Sequence, residues 1–182
     1  MSILFSIYSV FSTTYLPGEF RLFYDVLPFW FFWEFPIFWP IVIPIVTIFY
    51  FIATYLFMGY LKIDNPINKL RKIIIRVTFF GFLCDLIVAG FLLLIILQVD
   101  NIINYKSVFY HWLKALWENP FNNVYALLTI LVTILLSRVL NYKLNKRYTF
   151  SKLDIEEEKK KKLALAIAIF TAPYMFFFTI TI

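Results

Sequence analysis

Little in this chain can carry chemistry. Its 182 residues include one cysteine, Cys84, and one histidine, His111. A lone cysteine makes no intrachain disulfide, and neither residue belongs to a zinc-like spacing. No metal and no cofactor are therefore expected. No nucleophile–base pair, phosphate-binding loop or pair of carboxylates occurs either, which argues against hydrolytic or redox chemistry. Charge is scarce as well: only 15% of the residues are Asp, Glu, Lys or Arg.

What is present is apolar surface. The chain is 62% hydrophobic and 22% aromatic, more than a soluble domain of this size can bury, so its solvent is lipid. A single membrane domain, residues 1–182, uses the whole length and leaves no room for a soluble catalytic domain. The net charge of +6 is distributed in a way that argues against nucleic acid. Five of the seventeen basic residues fall in 61–76 and nine in 138–162. Those two connections lie on the same side of a four-span arrangement, and the positive-inside pattern makes that side cytoplasmic. The expectation is an all-α, multi-pass protein of the cell membrane. It is an integral four-helix bundle with both termini outside and spans at about 40–61, 73–97, 123–142 and 163–182.

Residues 1–39 read as an interfacial segment, broken by Pro17, Gly18, Pro28 and Pro36, with no basic start or cleavage pattern of a removable signal peptide. Its aromatic cluster at 29–33 fits an interfacial belt, and a short re-entrant stretch at 3–11 is an option. In the outer loop, about 107–118 reads as an amphipathic helix with Phe109, Trp112, Leu113 and Leu116 on one face. It lies in the interface or acts as a lid. After Phe150, the Ser151–Asp154 spacing resembles a capping box. Glu156–Lys160, Glu157–Lys161 and Glu158–Lys162 are i,i+4 pairs. A helix is expected to start near Lys152 and run into the last span, kinked at Pro173.

Two features mark the middle spans. Asp85 lies about 18 Å from the cytoplasmic end by helix rise, where an unpartnered acid costs roughly 2.5–3.5 kcal/mol. It must face protein or water. Gly81, Asp85 and Ala89 share its face, and the third span offers a polar stripe at four-residue steps: Tyr125, Thr129, Thr133, Ser137, Asn141 and Asn145. The two sets are expected to pack together, with Thr129 and Thr133 at the depth of Asp85. Arg76 and Arg138 lie too near the cytoplasmic edge to reach it. The stripe is either helix–helix glue or a polar path, and Asp85 either a lock or a functional carboxylate.

The third span leaves the membrane as NYKLNKRYTF. Asn141, Tyr142, Leu144, Asn145, Lys146, Arg147, Tyr148, Thr149 and Phe150 resemble the motif closing the second helix of GtrA-like proteins, and Arg76 and Gly81 keep the spacing of that family's first span. The similarity covers about 70–150. The family's second such motif, at the end of its fourth span, is missing here. The resemblance implies translocation of polyprenyl-phosphate-linked sugars, or help to a glycosyltransferase that does so. Arg76, Arg138, Asn141, Asn145, Lys146 and Arg147 are then the candidate residues for the lipid phosphate. The alternatives are a non-catalytic accessory subunit of a larger membrane complex and an oligomeric pore. Expected partners are membrane lipids, polyprenyl phosphate among them, and a membrane protein or further copies of the chain.

Overall fold

A computed structural model of the chain describes residues 26–28, 36–99 and 108–181. The stretch at 3–11 and the aromatic cluster at 29–33 lie outside the described residues, as does most of the segment 1–39.

Three helices are long and apolar enough to cross a membrane: α1 (Trp39–Tyr60), α2 (Pro66–Val99) and α4 (Val124–Leu144). Their starts follow local rules. Pro40 sits in the first turn of α1, where its missing N–H costs nothing. Asn123 caps α4, its Oδ1 accepting from the N–H groups of Tyr125 (2.9 Å) and Ala126 (3.2 Å). Between α1 and α2 the chain reverses tightly, with Lys62 and Asn65 in the left-handed region at φ 50° and 51°. The 34 residues of α2 extend about 51 Å, well beyond a hydrocarbon core of about 30 Å. Its basic first turns project from the apolar part. Large apolar side chains such as Ile41, Ile48, Phe79, Phe91 and Leu135 stay exposed, as lipid-facing helices require.

The amphipathic helix expected at 107–118 is α3 (Val108–Glu118). It packs against α4 rather than lying free: Leu113, Ala115 and Leu116 are buried, and Trp112 Nε1 donates to Thr129 Oγ1 at 3.1 Å.

The fourth span is a correction. Where a kinked helix over 163–182 is expected, α5 (Glu157–Phe170) has only 14 residues, about 21 Å by rise. It starts at Glu157, not near Lys152, after a short 3₁₀ turn at Phe150–Lys152. One of the three expected i,i+4 pairs forms, Glu158–Lys162 at 2.6 Å; Glu156 and Glu157 reach Lys159 and Lys160 instead, at i,i+3. The far end breaks because Pro173 donates no hydrogen bond and disfavours helix at Ala172 before it. The chain continues as a 3₁₀ turn (Tyr174–Phe177) and a three-residue strand, β2 (Thr179–Thr181). This pairs antiparallel with β1 (Val26–Pro28), Val26 opposite Thr181. Segments from the two ends of the described chain thus meet beside α3.

α5 packs against α1 and α4 through Leu163, Ala164, Ile167 and Ala168. The buried apolar residues form two clusters. One contains Ala89, Leu92, Leu116, Ala126, Ile130 and Phe176. The other contains Tyr50, Met58, Leu70, Val77, Phe150, Leu163 and Ile167. Along α4 the polar centre falls between them.

Candidate functional site

The centre is built on Arg138. The residue is buried, 7% exposed, and its Nη2 pairs with Asp85 of α2. Ser137, the preceding residue, donates to the same carboxylate at 2.6 Å and accepts from Arg138 Nη2 at 2.7 Å. Nη1 donates to the carbonyl of Thr171 at 2.8 Å. That carbonyl lies where α5 stops; a second one there, at Ile169, accepts from Tyr174 Oη at 3.0 Å and from the N–H of Ala172 at 3.3 Å. One side chain therefore neutralises Asp85 and closes the end of α5, where a cation is favoured by the helix dipole. It joins α2, α4 and α5.

This overturns the expectation that Arg138 cannot reach Asp85. The acid lies at the depth of Ser137, one to two turns from Thr133 and Thr129. Thr133 is buried nearby, while Thr129 is engaged by Trp112 and by the carbonyl of Tyr125. The expected span ends at residue 142, whereas α4 runs to Leu144 and continues into a π-helical turn, so Ser137 and Arg138 lie further from the helical end than expected.

One turn toward the basic end, a tyrosine enters from α1. Tyr50 is buried, and its Oη accepts from Asn141 Nδ2 at 3.0 Å. Asn145 Nδ2 in turn donates to Asn141 Oδ1. The ring of Tyr50 occupies the space left by the missing side chain of Gly81. Gly81 therefore makes room for α1, not for α4 as its place on the face of Asp85 and Ala89 suggests. Nothing local marks Tyr50 among 12 tyrosines and 23 phenylalanines; only its place opposite a glycine on another helix does.

The exit motif then winds as a π-helical turn, Asn145–Thr149, a form often found at functional positions. The six candidate phosphate-binding residues divide. Arg138, Asn141 and Asn145 are buried and engaged in the network just described. Arg76 and Arg147 are exposed and Lys146 half-buried. Lys146 Nζ stands 5.7 Å from the ring centre of Tyr142, and the guanidinium of Arg147 5.4 Å from that of Tyr148. The register that sets Asp85 beside Ser137 carries Arg76 to the level of Lys146.

Toward the α3 end, a lateral groove of about 660 Å³ opens between α2, α3 and α4, lined by Phe91, Phe109, Trp112, Leu128, Val132 and Leu136, with Tyr125, Thr129 and Thr133 among its polar contributors. Its walls are almost entirely apolar. Comparison of the chain with family models, with curated proteins and with solved structures finds no match.

Proposed function

We propose that this chain handles a phosphate-bearing lipid with a long isoprenoid tail, and moves the sugar such a lipid carries across the membrane or helps a partner to do so. The observation that carries the reading is the exposed face of α4. Leu128, Val132, Leu136 and Leu140 follow one another at four-residue steps and lead to Lys143 and Arg147, all exposed. An apolar track thus runs from the groove to a pair of cations. From Arg147 to Leu136 is about 16 Å along the helix, and to Tyr125, at the far end of the groove, about 33 Å. A leaflet is about 15 Å deep, half a hydrocarbon core of about 30 Å. The tail of a lipid whose phosphate sits at Arg147 must therefore cross the midplane to fill the groove. An isoprenoid of many units does so; an ordinary acyl chain ends near the groove's edge. With Arg138, Asn141 and Asn145 committed to the interior, the phosphate falls to Arg147, Lys146, Lys143 and Arg76.

The same reading places the basic end in the cytoplasm. Single cysteines introduced at Lys114 or Asn122 in a Cys84→Ser background should react with a membrane-impermeant maleimide in intact cells. Cysteines at Lys152 or Glu158 should react only after permeabilisation. Labelling of position 158 in sealed cells inverts the topology and removes the cytoplasmic loading site.

A guanidinium holds phosphate through two parallel hydrogen bonds that an ammonium cannot copy. Arg147→Lys should therefore weaken binding of a polyprenyl phosphate several-fold at equal expression, although charge is kept. If wild type binds no such lipid, or if Arg147→Lys and Arg147→Ala both bind as wild type does, the cations only anchor the helix end. The chain is then a non-catalytic subunit of a larger membrane assembly.

A further inference from the structure

Besides Arg138 Nε, four buried side-chain polar atoms have no hydrogen-bond partner among the described residues: Thr54 Oγ1, Thr78 Oγ1, Asn145 Oδ1 and Thr149 Oγ1. Their residues are at most 5% exposed. They come from α1, α2 and the π-helical exit, yet the register brings them together. Tyr50, Gly81 and Asn141 share one layer, since Tyr50 Oη accepts from Asn141 and fills the space at Gly81. One turn on, toward the basic end, α1 offers Thr54, α2 offers Thr78 and the π-helical exit offers Asn145, with Thr149 a turn beyond. The rings of Phe80 and Tyr148, 5.9 Å apart, hold that part of α2 against the exit.

A buried donor or acceptor left unpaired is costly, and four on adjacent turns do not persist unsatisfied. None of them bonds to another. We infer that this layer is a binding site for internal water, which bridges the three hydroxyls and the amide oxygen and joins the exit motif to the first two helices. A water needs two to four polar partners, and this set offers three groups that both donate and accept and one that accepts. A metal cation is the poorer occupant. The four oxygens are neutral, the one buried carboxylate nearby is already paired with Arg138, and Lys143, Lys146 and Arg147 lie on the adjoining turns. Asn145 is thereby a positioning residue of the exit motif, not a contact for a lipid phosphate.

The experiment rests on the sign of isosteric changes. Replacing an unsatisfied buried hydroxyl by methyl raises stability, whereas removing one that binds water lowers it. Thr54→Val and Thr149→Val, followed by thermal unfolding in detergent, should each lower the midpoint by about 2–4 °C. The double variant should fall clearly less than the sum, because the two hydroxyls share their water although they lie on different elements. Thr54→Ser, which keeps the hydroxyl, should retain the full effect of adding Thr149→Val. The midpoints should be equal in sodium, potassium and choline chloride at one ionic strength. Stabilisation by either Thr→Val change, additive losses in the double variant, or a midpoint that depends on sodium overturns the assignment.

Discussion

Arg138→Met should lower the thermal midpoint in detergent by about 6–20 °C, the equivalent of about 3–5 kcal/mol for a chain of this size. The substitution removes the counter-ion of a carboxylate that is 4% exposed and uncovers the carbonyl of Thr171 at the end of α5. Asp85→Leu should be comparably harmful, since it strands the guanidinium instead. The double variant Asp85→Leu with Arg138→Met should recover most of the loss, because neither charge is then left alone in a low-dielectric interior. It should not recover all of it, for the Thr171 carbonyl still lacks its donor. Unfolding followed by intrinsic fluorescence, with retention of the monodisperse species after heating as a second readout, separates these cases. An Arg138→Met protein as stable as wild type, or a double variant worse than both singles, means that the pair does not hold the helices together.

The second large effect concerns Gly81. A Cβ at this position would overlap Oη and Cζ of Tyr50. Overpacking of this kind costs about 1–3 kcal/mol. Displacing Tyr50 also withdraws the acceptor for Asn141, a further penalty of about 1–3 kcal/mol. Gly81→Ala should therefore lower the midpoint by several degrees, and Gly81→Leu should abolish folding. Gly59→Ala is the internal control: nothing lies within 4 Å of its added methyl, and in a helix alanine is favoured over glycine. That change should be neutral or slightly stabilising. Trimming the ring by Tyr50→Ala should cost less in the Gly81→Ala background than in wild type. Equal costs in both backgrounds dissociate the glycine from the tyrosine.

Both predictions rest on contacts between helices, and the sequence is least informative about these. The three long helices and α3 are legible because each is specified within itself, by an apolar run, by Pro40 in the first turn of α1, or by Asn123 at the start of α4. The failure at Pro173 is of another kind. A proline within an apolar run reads as a kink, and whether the helix resumes depends on what becomes of the carbonyls it releases. Here Arg138, 33 positions away in sequence, takes that of Thr171, and Tyr174 shares that of Ile169 with the N–H of Ala172. Likewise, Asp85 announces that it needs a partner, but the choice between Thr133, Ser137 and Arg138 turns on a one-turn slide between two helices. That slide is decided by packing, Tyr50 against Gly81 included. The basic residues of the exit are visible as a cluster; that half of the candidate set turns inward is not.

The Asp85–Arg138 pair also bears on how the chain is made. Helices leave the insertion machinery in the order of synthesis, and Asp85 arrives in α2 well before Arg138 is made. Until then the acid has no counter-ion, and releasing α2 alone into lipid costs roughly 2.5–3.5 kcal/mol for its central Asp. Retention of α2 beside the ribosome-bound channel until α4 emerges avoids that step. The carbonyl of Thr171, which Arg138 also needs, is made later still. A staged capture, with α2 waiting for α4 and the pair of them waiting for α5, is the expected outcome of that constraint. A nascent chain cut short before α4 should remain within cross-linking reach of the channel, while one carrying α4 should not.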